Sequence, residues 1–112
     1  MPNLRELTVD IGGTPYVITS DDDYLEQIRG GFEPDMVRLF RTLINPMDVV
    51  LDVGANIGCT ALLFSELAKT VYAFEPSAST FALLQTNIAR SERRNIVALN
   101  VALGAEIGRA HV

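Results

Sequence analysis

The feature that most constrains this chain is a short apolar run, residues 49–53 (VVLDV), that passes directly into a loop with two glycines, residues 54–58 (GANIG). An apolar run of this length predicts a strand of a parallel sheet that is buried on both faces. A helix is predicted next, because apolar side chains recur at helical spacing at Ile57, Ala61, Phe64 and Ala68. A strand, a glycine loop and a helix in this order are typical of a ligand-binding crevice.

The same alternation continues along the chain. Residues 71–74 (VYAF) predict a second strand, a helix with Ser77 as its N-cap follows, and residues 96–99 (IVAL) predict a third strand. This order predicts the α/β fold class with a parallel sheet. In such a sheet ligands bind at the carboxyl ends of the strands, which is where three polar side chains fall: Asp52, Glu75 and Asn100.

The first 48 residues are more polar and more interrupted. Residues 7–11 and 16–19 predict two strands of a hairpin, joined by a Gly-Gly turn. A short helix follows, and Pro34 opens a second helix that we expect to lie as a lid across the edge or mouth of the sheet. We therefore divide the chain into a hairpin and lid region, 1–48, and an incomplete βαβαβ half-domain, 49–112.

Composition excludes several classes of protein. With 112 residues, the chain has room for one compact domain. Its net charge of −5, without a basic run, argues against nucleic acid as a partner. One cysteine, Cys59, and one histidine, His111, exclude a disulfide framework and a Cys/His zinc cluster, so no metal is expected. No apolar run approaches the ~20 residues of a membrane span, and no signal segment begins the chain, so we expect no membrane partner and a cytoplasmic protein.

The residues also indicate which cofactor the crevice takes. Glu75 follows Gly58 by 17 residues and can accept hydrogen bonds from ribose hydroxyls at the tip of the neighbouring strand. The dinucleotide fingerprint Gly-x-Gly-x-x-Gly fails, since Asn56 and Cys59 stand where its later glycines would be. The negative charge of Asp52 disfavours a pyrophosphate and suits a cationic ligand. Charge therefore favours S-adenosylmethionine over NAD.

Residues 52–58 (DVGANIG) resemble the first motif of the class I S-adenosylmethionine-dependent methyltransferases, and the wider pattern is similar to the FkbM family. The match runs from about Gly30 to the end of the chain and includes the segments GFEP (31–34), FEP (74–76) and NVALG (100–104). It implies a Rossmann-like methyltransferase sheet, truncated after the third core strand. Residues 108–112 alternate like the beginning of another strand, so we expect an N-terminal fragment of a longer protein.

The resemblance also implies a set of cofactor-binding residues. The methionine part of the cofactor would be surrounded by Asp52, Gly54, Asn56 and Gly58, with Ala55 a further candidate in the same loop. The adenine would be bordered by Pro76, Ser77, Asn100 and Ala102. Glu75 would hold the ribose, and Glu33, just before the lid helix, would also face the cofactor.

The function implied is methyl transfer from S-adenosylmethionine to an oxygen of a small-molecule acceptor. No residue stands out as a catalytic base. Two alternatives remain open: a non-catalytic binding module with the same fold, and a fragment of an NAD-type oxidoreductase. Because the sheet would end in an open edge, we expect the isolated chain to be inactive and to form a homodimer through that edge.

Overall fold

The computed structural model describes residues 4–103 and 110–111. The N-terminal region begins with the expected hairpin, an antiparallel pair of strands β1 (Arg5–Ile11) and β2 (Thr14–Ser20). Two helices follow, α1 (Tyr24–Gln27) and α2 (Pro34–Leu43), and proline occupies the first turn of α2, where its missing N–H has no helical partner to lose.

A three-stranded parallel sheet forms the second region. Strands β3 (Val49–Val53), β4 (Thr70–Phe74) and β5 (Ile96–Leu99) are ordered β3-β4-β5. Helix α3 (Cys59–Leu67) connects the first two strands, and helix α4 (Ala78–Ser91) connects the second and third. The predicted α/β class, the parallel sheet and the alternation of strands and helices are confirmed. Ser77 caps α4, since its side chain accepts from the backbone N–H of Thr80.

A second antiparallel pair lies near the end of the chain. Strand β6 (Ala102–Leu103) pairs with β7 (Ala110–His111). The expected strand near the C-terminus is therefore present, but it turns back on β6 and does not add a parallel strand to the sheet. The rest of the 108–112 tail lies outside the described residues.

Helices cover one face of the parallel sheet, whereas the other face is bare of any layer formed by the described residues. The prediction that β3 is buried on both faces is wrong: Val49, Leu51 and Val53 are 58%, 57% and 61% exposed. Helices pack against the opposite face, where Val71 and Ala73 of β4 are fully buried. Because β3 is also an edge strand, only β4 pairs with it, and no other strand among the described residues pairs with its free side. The bare face continues across the sheet through Val97 and Leu99.

The hairpin and the helices share one core. The main apolar cluster combines Val9 and Ile18 of the hairpin with Leu62 and Leu63 of α3. Helix α2 packs on α3 through an edge-to-face contact between Phe40 and Phe64, whose ring centroids are 4.8 Å apart. The expected lid helix α2 thus packs on α3, while the segment before it, with Phe32 and Glu33, reaches the loop at the carboxyl end of β3. The boundary near residue 48 stays a prediction.

None of the helices in the described part of the chain is both long enough and apolar enough to cross a bilayer.

Candidate functional site

The glycine loop after β3 is held against the end of β4. The backbone N–H groups of Gly54 and Ala55 both donate to the carbonyl oxygen of Phe74, each at 2.9 Å. Gly54 has φ +76°, a conformation that side chains disfavour, and no atom lies within 4 Å of where a Cβ would be. The loop therefore turns sharply and leaves open space above Gly54.

Gly58 allows close packing between helices α3 and α4. It caps α3 with φ +109°, and an added Cβ would lie 3.0 Å from Leu84 of α4. The missing side chain therefore lets α3 and α4 approach each other beneath the loop. No side chain caps the N-terminus of α3.

Asp52 lies beneath the loop. It is buried, and its Oδ2 accepts a 2.6 Å hydrogen bond from the Thr60 hydroxyl in the first turn of α3. Burial raises the pKa of this carboxyl, and the bond from Thr60 offsets part of that rise. Thr60 lines the cavity above the loop, whereas Asp52 does not. The expected contact of Asp52 with the methionine part of a cofactor stays a prediction.

Glu75, at the carboxyl end of β4, is the centre of the site. It is buried, yet both carboxylate oxygens are occupied: Oε1 accepts from the backbone N–H of Asn56 at 2.9 Å, and Oε2 accepts from that of Ser77 at 3.0 Å. Each oxygen keeps a second acceptor position. Asn100, after β5, donates through Nδ2 to the carbonyl oxygens of Glu75 and Pro76 at 2.9 and 3.1 Å, and so fixes the turn that carries the acid.

Two cavities meet at Gly54. One of about 180 Å³ lies over the glycine loop and is lined by Tyr24, Phe32, Glu33, Gly54, Ala55, Asn56, Ile57, Cys59 and Thr60. The other, of about 170 Å³, is mainly apolar and is lined by Val53, Gly54, Phe74, Pro76, Val101, Ala102 and Leu103. Glu75 stands between them, since it is bonded to Asn56 of the first and adjoins Pro76 of the second. The arrangement fits one extended ligand with a polar end, a hydroxylated middle and an apolar end.

The structure thus brings most of the predicted site residues to one place. Both cavities open at the carboxyl end of the sheet, where the candidates that line them are Glu33, Gly54, Ala55, Asn56, Pro76 and Ala102. Glu75 and Asn100 hold the loop after β3 and the turn after β4 in position through hydrogen bonds, whereas Asp52 and Gly58 lie beneath the loop.

Sequence reasoning missed three contributors. Tyr24 and Phe32 reach the first cavity from the N-terminal region, and no local pattern marks them. Asn87 is fully buried in α4 and donates to the carbonyl oxygen of Ile57, which holds the glycine loop from behind. The sequence does carry a signal for Asn87, because this residue is polar and lies three positions after Leu84, on the otherwise apolar stripe of α4.

A further cavity differs in its charged side chains from the two that meet at Gly54. This cavity, of about 290 Å³, lies between the hairpin turn and α2, where Arg38 and Arg41 are accompanied by Asp10. Arg38 is paired with Asp35, and Arg41 donates to the carbonyl oxygen of Gly12. Among residues 4–103, no group of three His, Cys, Asp or Glu side chains could hold a metal ion.

Comparison with known proteins agrees with this geometry. The chain is 36% identical over 84 residues to the hexuronic acid methyltransferase AglP of Haloferax volcanii, a match that covers 75% of this chain and 34% of the relative. It is 50% identical over 50 residues to the 31-O-demethyl-FK506 methyltransferase FkbM of Streptomyces tacrolimicus, covering 42% of this chain and 19% of the relative. In sequence the chain is therefore FkbM-like, that is, similar to these two methyltransferases over part of their length. It spans about a third or less of the length of these relatives, and no protein-family model matches it.

Solved structures confirm the fold of this FkbM-like chain. The TYW2 protein of M. jannaschii, solved in complex with AdoMet, superposes with a TM-score of 0.61 at 20% identity, covering 84% of this chain and 42% of that one. The tRNA m1G37 methyltransferase of M. jannaschii superposes with a TM-score of 0.62 at 19% identity, covering 86% of this chain and 29% of that one. At such identities the likeness shows the shared Rossmann-like methyltransferase fold alone.

Proposed function

We propose that the chain is the cofactor-binding part of a methyltransferase and that it binds S-adenosylmethionine across Gly54. The observation that carries the proposal is the position of Glu75, whose buried carboxylate stands between a polar and an apolar cavity. An S-adenosyl ligand has its ribose between an amino-acid end and a flat base. Ribose hydroxyls are donors that a carboxylate with free acceptor positions can hold.

The charge of the site supports a cationic cofactor. Glu33 lines the first cavity, and Asp52 and Glu75 accept hydrogen bonds from its lining residues Thr60 and Asn56. No Lys, Arg or His lines either cavity in the described part of the chain. S-adenosylmethionine carries a net positive charge at neutral pH. A dinucleotide would bring two negative phosphates to the same place, without a cation to meet them.

The chain's own contribution to the reaction is binding and orientation. A bound S-adenosylmethionine supplies a methyl group activated by its sulfonium. Gly54 leaves room for the ligand, Glu75 holds its ribose, and the apolar side chains around Phe74 shield its base from water. Holding a reactant in one pose in this way is a large part of what an enzyme adds to a reaction between two substrates.

We also propose that the methyl acceptor is a small molecule and that the methyl group goes to oxygen. The two relatives named for hexuronic acid and for 31-O-demethyl-FK506 support this. A net charge of −5 without a basic run disfavours an RNA backbone, although the fold is shared with a tRNA methyltransferase. No His or Lys that could act as a base lines the cavities of the described residues, and we expect these 112 residues alone to be inactive in methyl transfer.

Isothermal titration calorimetry with S-adenosylhomocysteine tests the proposed cofactor, with NAD as the comparison ligand and circular dichroism to establish that the chain is folded. We expect saturable binding of S-adenosylhomocysteine and none of NAD. A folded chain that binds NAD preferentially would contradict the methyltransferase assignment. A chain that binds S-adenosylhomocysteine while the longer protein transfers no methyl group would instead indicate a non-catalytic binding module.

We propose in addition that two copies associate through the open edge of β3. Two features support this: the exposed apolar residues of that strand, and its outer edge, with which no strand of residues 4–103 pairs. Size-exclusion chromatography with light scattering is expected to show a dimer for the wild type and a monomer for Leu51→Lys, a change at an exposed position. A monodisperse wild-type monomer at high concentration would contradict it.

A further inference from the structure

The N-terminal region supplies one wall of the cavity over the glycine loop. Three of its residues, Tyr24, Phe32 and Glu33, face the loop residues across a space of about 180 Å³. Phe32 is buried, and its backbone N–H donates to the carbonyl oxygen of Asp10 in the hairpin at 2.9 Å. The segment is therefore anchored to the core, and the residues beside Phe32 are held in place over the loop.

Glu33 is held in an unfavourable backbone conformation. Its φ is +26°, and Asn56, on the opposite wall of the same cavity, has φ +54°. The third non-glycine residue with positive φ among the described residues is Glu92, which ends α4, where left-handed residues are common. Conformations of this kind persist when surrounding structure enforces them, and they concentrate at binding sites. Two of them thus flank one cavity.

Tyr24 contributes a neutral donor to the same wall. Burial, with a smaller contribution from the neighbouring Cys59, raises the pKa of its hydroxyl to about 12. The phenol therefore stays protonated at neutral pH and can donate a hydrogen bond. The opposite charges of an amino-acid end, an ammonium and a carboxylate, need an acceptor and a donor. The residues of this wall include one carboxylate, Glu33, and one phenol hydroxyl, Tyr24.

We propose that Tyr24 and Glu33 are positioning residues that clamp the amino-acid end of the cofactor, with Glu33 accepting from its ammonium and Tyr24 donating to its carboxylate. The inference rests on the proposed function. It assigns the polar end of the site to the N-terminal region, so that the hairpin and α1 complete the cofactor pocket of the sheet.

Two ligands separate this role from a merely structural one. S-adenosylhomocysteine carries the amino-acid end, whereas 5′-methylthioadenosine keeps the base, the ribose and the sulfur but lacks it. In calorimetric titrations of the full chain, we expect Tyr24→Phe and Glu33→Gln each to weaken S-adenosylhomocysteine about tenfold, the usual effect of losing a hydrogen bond to a charged group. Binding of 5′-methylthioadenosine should stay within about twofold of the wild type.

Matched control variants are Tyr72→Phe, on the face of the sheet away from the helices, and Glu92→Gln, which shares a positive φ with Glu33. Both should bind the two ligands as the wild type does. If Tyr24→Phe and Glu33→Gln weaken both ligands equally, or neither, the clamp is wrong while the cofactor assignment stands. If the folded wild type binds neither ligand, the proposed function fails and the clamp falls with it.

Discussion

Glu75 accepts a hydrogen bond from the backbone N–H of Asn56, 19 residues earlier in the chain, at 2.9 Å. The same carboxylate accepts from Ser77, and Asn100 donates to the carbonyl oxygen of Glu75. One acidic residue therefore ties together the loop after β3, the end of β4 and the residue after β5. These contacts lie between two cavities, which makes Glu75 the residue on which the proposed cofactor site depends most.

Replacing Glu75 by glutamine keeps its shape but removes its charge and one acceptor. We expect affinity for S-adenosylhomocysteine to fall by about tenfold to a hundredfold, because a hydrogen bond to a charged acceptor is lost. The free energy of unfolding should fall by about 1 kcal/mol, since the amide –NH₂ would face the N–H of Asn56 or Ser77. Calorimetry and urea denaturation measure the two effects. Unchanged affinity in Glu75→Gln would remove this residue from the site, and Glu92→Gln is the control.

The glycines of the loop should differ in their tolerance of a methyl group. Gly54→Ala adds backbone strain in open space and should cost about 1 kcal/mol in the free energy of unfolding. Gly58→Ala adds a contact with Leu84 to the same kind of strain and should cost about 2–3 kcal/mol. Gly30→Ala, with open space and no positive φ, is the control and should be nearly neutral. Urea denaturation giving equal costs at Gly54 and Gly58 would contradict the packing role of Gly58.

Asn87 should be among the most sensitive polar residues of the chain. Its amide donates to the carbonyl oxygens of Thr19 and Ile57 at 3.1 and 2.8 Å, and it accepts from the N–H of Thr19 at 2.8 Å. Asn87→Ala leaves these buried groups unpaired, and we expect a loss of about 3 kcal/mol in the free energy of unfolding. Thr86→Ala, on the exposed side of the same helix, should change it by less than about 0.5 kcal/mol. A similar small effect at Asn87 would show that water replaces its hydrogen bonds.

Asp52 should make stability depend on pH. Burial raises its pKa in the folded state, so the folded protein binds a proton more readily than the unfolded chain does. The free energy of unfolding therefore decreases as pH rises through the carboxyl range, and that deficit persists at neutral pH. The Asp52→Asn variant has no carboxyl at this position and so escapes this loss. The difference in the free energy of unfolding, variant minus wild type, should therefore be larger at pH 7 than at about pH 3. Urea denaturation of both proteins at the two pH values measures this difference. A difference that becomes smaller toward neutral pH would contradict a raised pKa of Asp52.

Much of the site was predictable because its signals are local. The glycine loop, the acid after the second strand and the N-cap at Ser77 are each set by a few neighbouring residues, and their spacing places them at one edge of a parallel sheet. The order of strands and helices follows from the same patterns. The structure confirms this order and the cap at Ser77, while the binding roles of the loop and the acid stay predictions.

The rest depends on contacts between distant segments. The apolar residues of β3 predict burial. The sequence of the strand does not determine whether a second layer covers them, and Leu51 is in fact exposed. Tyr24 reaches the glycine loop because the hairpin and α1 pack on α3, a long-range arrangement that has no local signature. The role of Gly58 likewise depends on Leu84, which is 26 residues away.

The most direct test of the central claim is a ¹H–¹⁵N correlation spectrum of the chain titrated with S-adenosylhomocysteine. If the ligand lies across the loop with its ribose on Glu75, the amides of Gly54, Asn56 and Ser77 should shift together and saturate, while those of Gly12 and Gly13 at the hairpin turn stay in place. Saturable shifts confined to Gly12 and Gly13, beside the cavity near α2, or a folded chain with no shifts at all, would contradict the account.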